Sequence, residues 1–152
     1  MEKYKTMVSD FNARIMDESV LLTNAGMYEY NFWKAYSGIS ETVSSDSSVN
    51  YDVMVDEAME WLSENSDANA DTVAAAYDEL IASYVAIVDA NVDGELSAGT
   101  ADLVDALFGA YYQLYTIVTE PSGTIEDFIY TLKDCTDAIT MFNSDLAAAL
   151  DT

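Results

Sequence analysis

LLTNAGMYEYNFWKAY, residues 21–36, decides how the chain divides into helices. Leu21 and Leu22 close a segment whose Tyr4, Met7, Phe11 and Ile15 recur every three or four residues, the spacing of one face of an α-helix. Asn24-Ala25-Gly26 then sets two poor helix formers within three residues, and a glycine inside a helix costs about 1 kcal/mol relative to alanine. The pattern therefore predicts a helix over residues 2–22, a stop, and a second helix over 27–42. MYEYNFWKAY carries aromatic rings at so many positions that it can bury more than one face.

Outward from there the punctuation is clearer. SETVSSDSSVN (40–50) reads as a loop, and a helix over 51–64 turns Val55, Ala58, Met59 and Leu62 inward. NSDANAD (65–71) is a turn that ends on Asp71, a suitable N-cap for a helix over 71–88. Val73, Tyr77, Leu80, Ile81, Tyr84 and Val88 form its apolar stripe. A helix over 99–119 presents Leu103, Leu107, Tyr111, Leu114 and Val118. EPSG (120–123) holds the chain's one proline beside a glycine and is the firmest break. Ser122 or Thr124 caps a last helix over 124–150, with Ile125, Phe128, Leu132, Ile139, Phe142 and Leu146 on one side. The expected fold is an all-α, single-domain bundle of about six helices spanning residues 1–152.

Charge is the outstanding feature. Against 28 acids stand 5 lysines and arginines, for a formal −23. Residues 1–34 are nearly balanced at −1, so residues 35–152 carry −22, with Lys133 their sole cation. Such a field repels nucleic acid and anionic membrane and attracts basic proteins, cations and salt. No stretch approaches the roughly 18–20 apolar residues of a membrane span, and the N-terminal residues lack a signal-peptide core. The expectation is a cytoplasmic chain with no direct nucleic-acid or membrane partner. No histidine is present, and the single Cys135 has acidic neighbours that oppose its thiolate. Most general acid–base and phosphoryl-transfer sites are thereby unavailable, so no enzyme and no catalytic residue is expected.

Within YDVMVDEAMEWLSEN (51–65), Asp52, Asp56, Glu60 and Glu64 lie at successive i, i+4 positions, with Glu57 beside them and no cation in the interval. Each like-charge pair disfavours the helix by roughly 0.2–0.5 kcal/mol. Four residues of helix rise about 6 Å, close to the separation of successive phosphates along a strand. The row can therefore present a nucleic-acid-like line of charge to a basic cleft. Asp78, Glu79, Asp102 and Asp105 extend the candidate partner surface. In composition the chain resembles small acidic inhibitors: DNA mimics, anti-restriction and anti-CRISPR proteins, and nuclease immunity proteins. That resemblance is one of kind and assigns no residue. It implies a partner that is a basic, nucleic-acid-binding protein, inhibited by occupation of its binding surface.

Two other readings stand beside it. DANVDGELSAGT (89–100) resembles an EF-hand loop, with Asp89, Asn91, Asp93 and Glu95 as candidate calcium ligands and Gly94 at the turn. Thr100 occupies the place of the bidentate glutamate. Weak calcium binding is the most that such a loop implies, and a plain turn is the competing account. Alternatively, the acidity is haloadaptation in a structural or assembly protein.

Overall fold

The computed structural model describes residues 2–36, 50–91, 94 and 96–151. Its elements are five α-helices: α1 (Glu2–Tyr36), α2 (Tyr51–Asn65), α3 (Ala70–Ala90), α4 (Ala98–Thr119) and α5 (Ile125–Leu150). The all-helical class holds among the described residues, and there the expected count of about six falls to five because residues 2–22 and 27–36 are one helix. Residues 37–42 of the anticipated second helix lie outside the described residues.

The reason is tertiary. A Cβ built on Gly26 would stand 2.6 Å from Leu132 Cδ1 and 3.2 Å from Val118 Cγ2. Ala25 beside it is fully buried. The small residues that look like a stop are the pad on which α5 and α4 cross α1, and close packing there outweighs the local propensity penalty. Two further contacts fix α5 antiparallel to α1. The Asn143 amide donates to Asn12 Oδ1 at 2.8 Å and to its carbonyl at 3.0 Å, while Asn12 Nδ2 donates to the Asn143 carbonyl at 3.1 Å. Thr23 and Thr136 share a hydroxyl hydrogen bond of 3.0 Å.

At 35 residues, α1 is about 52 Å long and packs against each of the other four helices. Trp33 ends its apolar face, fully buried against the edge of Tyr51 (5.4 Å between centroids) and against Phe128 (5.6 Å). The aromatic segment is thus mostly core, and Tyr28 stacks on Trp61 of α2 at 5.5 Å. The core stripes of α4 and α5 fall as expected, including buried Leu107, Tyr111, Leu114, Phe128, Leu132 and Leu146.

Local chemistry sets the helix starts. Asn50, Asn69, Ser97 and Thr124 each accept a backbone N–H from three residues ahead, leaving fewer orphan donors in the first turn. Asn69, and not Asp71, caps α3, closing a reciprocal pair with Thr72 at 3.0 and 2.8 Å. Val88, expected inward, is 48% exposed, and Ile87 takes the core position. Gly123 adopts φ +81° before α5, a conformation that side chains resist.

Candidate protein-interaction surface

α2 is an amphipathic helix pressed on α1. Met54, Ala58, Met59 and Leu62 are buried, and the Tyr51 hydroxyl donates to the Gly123 carbonyl at 3.3 Å, tying the start of α2 to the turn between α4 and α5. This docking fixes which way the other face looks. Asp52, Asp56, Glu57, Glu60 and Glu64 are all exposed, and no hydrogen bond or ion pair between described residues engages their carboxylates. Asp52 in the first turn is favoured by the helix dipole, whereas Glu64 near the C-terminus opposes it, with no basic residue in that last turn. Three steps of about 6 Å make the row a rigid line roughly 18 Å long.

The remaining expected residues are exposed on other helices, and two of them have internal work. Glu79 of α3 accepts from Arg14 Nη2 at 2.9 Å, and Arg14 also reaches Glu18 at 3.7 Å. Asp105 of α4 accepts the Tyr84 hydroxyl at 2.7 Å. That bond, with burial second, raises the Tyr84 phenol above its usual range. Asp78 and Glu120 both lie near enough to Tyr115 to reinforce the upward push that burial gives its phenol. Asp102 stands exposed in the second turn of α4. α2 packs on α1, and the helices that carry these other carboxylates, α3 and α4, pack on α1 as well.

α3 and α4 meet mainly through rings. Tyr77 stacks on Tyr115 with centroids 3.8 Å apart and planes 4° off parallel, and Tyr84 stacks on Phe108 at 4.4 Å and 6°. Tyr112, half exposed, lies 6.2 Å from Tyr77.

In the 89–100 loop the described residues act in the turn. Asn91 Oδ1 accepts the Leu96 N–H at 2.8 Å, its own N–H closes α3, and Gly94 takes φ +67°. Thr100, in the place of the EF-hand glutamate, lies in the first turn of α4. Its N–H meets Ser97 Oγ at 3.1 Å and its hydroxyl accepts from Ser97 at 2.8 Å. Asp89 is exposed, and Asp93 and Glu95 lie outside the described residues. Among the described residues no cluster of three or more metal-ligating side chains is gathered.

Sequence reasoning missed Glu29. Its carboxyl is fully buried in α1, with neither oxygen hydrogen-bonded among the described residues, and burial raises its pKa to about 9. One turn on, Trp33 Nε1 is likewise buried without a partner. Cys135 is buried, and burial followed by Asp134 raises its thiol to about 11. No helix among the described residues is long and apolar enough to cross a membrane.

Comparison with protein-family models, with curated protein sequences and with solved structures finds no match for this chain.

Proposed function

We propose that this chain is a non-enzymatic acidic binding protein that occupies a basic, nucleic-acid-binding surface of another protein and inhibits it. The observation that carries this reading is the row Asp52, Asp56, Glu60 and Glu64: exposed, on one helix face, unrelieved by any described cation, and held outward by the buried face of α2. A row kept at a cost to its own helix serves something outside the helix. Charge at that spacing steers a cationic cleft as phosphates do, and the attraction weakens with salt. Haloadaptation would spread acid without regard to spacing.

The test is displacement. A panel of basic nucleic-acid-binding proteins is loaded with labelled duplex, the chain is added, and release is followed at several salt concentrations. Release from at least one member, lost when Asp56, Glu60 and Glu64 are all changed to lysine, is the expected result. If the triple variant releases duplex as well as the native chain, the row has no such role.

A further inference from the structure

α1 and α3 run antiparallel, joined by the Arg14–Glu79 ion pair at 2.9 Å and, about one turn along, by Phe11 and Tyr84, whose ring centroids are 6.4 Å apart. Beside these contacts the two helices leave a cleft of about 500 Å³ between them, a size in the range of sites that enclose a ligand. Its floor is apolar and belongs to the core: Phe11, Leu80 and Ile87 line it, each no more than 3% exposed. Its banks stay open because short residues stand on them, Ala13 on α1 and Ser83 and Ala86 on α3, all exposed.

The cleft is also sorted by charge. Its cation, Arg14, is already engaged by Glu79 and Glu18. Its two carboxylates, Asp10 and Asp17, are exposed, and no hydrogen bond or ion pair between described residues engages either. Seven residues apart, they share the α1 bank about 10 Å from one another, two turns of helix. An apolar floor with free carboxylates on one bank repels an anion, and a wholly apolar ligand would leave those carboxylates unused. The lining suits a ligand with an apolar side and a positive side. An amphipathic helix has both, and lysine or arginine at i and i+7 repeats the spacing of Asp10 and Asp17.

We propose that the α1–α3 cleft is the docking site for a basic amphipathic helix of the partner, with apolar side chains on Phe11, Leu80 and Ile87 and cations on Asp10 and Asp17. The inference rests on the reading of this chain as a binder of basic proteins and names the kind of segment it takes. The α2 row acts through charge at a distance, and salt weakens it. The cleft acts at contact, by taking apolar side chains out of water. It therefore separates an amphipathic helix from a basic segment of equal charge.

The probes are two synthetic peptides of identical leucine and lysine composition, one ordered as an amphipathic helix and one shuffled to remove its apolar face. Both are titrated calorimetrically into the full chain at matched ionic strength. The amphipathic peptide is expected to bind about tenfold more tightly. Ala13→Trp and Ala86→Trp fill the cleft from opposite banks, and each should erase that preference while leaving affinity for the shuffled peptide in place. Both positions are exposed, so melting temperatures should hold, which separates a blocked cleft from a lost fold. Changing Asp10 and Asp17 together to asparagine should weaken the amphipathic peptide more than the shuffled one. Equal affinity for the two peptides, or a preference that survives both tryptophans, overturns the cleft. If the peptides bind equally and reversal of Asp56, Glu60 and Glu64 abolishes both, the cleft fails while the acidic-binder reading stands. If the preference survives that reversal and is lost in the tryptophan variants, the cleft stands without the row. Binding of neither peptide overturns the cleft, whatever the displacement assay gives.

Discussion

Gly26 of α1 and Leu132 of α5 approach so closely that a single added carbon would stand 2.6 Å from the leucine Cδ1. The helices touch there through a missing side chain, and the contact joins two segments that local propensity would part. Gly26→Val is therefore expected to destabilise the fold by about 1–3 kcal/mol through overpacking, measured by urea unfolding. Leu132→Ala in the same chain should recover part of that loss. Strict additivity of the two changes would show that the residues do not share the space.

Glu29 makes stability depend on pH. Its folded pKa of about 9 lies above the ordinary 4.5, so the fold holds the protonated form. The stability this contributes is fully present below the unfolded pKa near 4.5 and is lost as pH rises through about 9. Across that window the native chain should weaken by on the order of 1 kcal/mol per pH unit. Glu29→Gln, neutral throughout, should flatten the curve and be the more stable protein at pH 8. Parallel curves for the two chains would mean that the carboxyl finds a partner or water.

The α2 row predicts opposed effects on folding and binding. Changing Asp56 and Glu64 to lysine converts three repulsive i, i+4 pairs into attractive ones, each pair worth a few tenths of a kcal/mol. The double variant should melt higher at low salt and inhibit less. A variant that gains stability and keeps full inhibition would place the interaction elsewhere.

Asn12 and Asn143 satisfy each other inside the α1–α5 contact. Asn12→Ala leaves the Asn143 amide without its carboxamide acceptor, so a loss of about 1–3 kcal/mol is expected in chemical denaturation. Replacing both with alanine should cost less than the sum of the single changes.

Cys135 should resist modification. With its thiol raised to about 11 and its side chain buried, little thiolate exists at pH 8. Disulfide-exchange labelling should be slow in the native chain and fast in urea. Rapid native labelling would require α5 to open readily at that turn.

How far the sequence can be read varies along the chain. From α2 to α5, apolar residues repeat at helical spacing between polar turns, and pattern alone places the elements to within a residue or two. The failure falls at residues 24–26, because a glycine that ends a helix and one that admits a neighbour have the same letter. Their difference lies in Leu132, more than a hundred residues away. Glu29 was hidden by the same error. Once α1 is continuous, Glu29 shares a stripe with Leu22, Ala25 and Trp33, and a carboxylate among those residues announces burial. The acidic row was visible as spacing, but the partners of Glu79 and Asp105 were not. Arg14 and Tyr84 reach them from other helices.

The asparagine pair also has a consequence in time. Asn12 and Asn143 are 131 residues apart, so at the usual pace of synthesis, about 5–20 residues per second, α1 waits on the order of ten seconds for α5. Throughout that interval its apolar face lacks its main cover, and neighbouring nascent chains offer the same exposed stripe. Most of the charge is appended while α1 waits, since residues 35–152 add −22. Half-made copies therefore repel one another while their first helix is most adhesive. The same acid thus guards the unfinished protein on the ribosome.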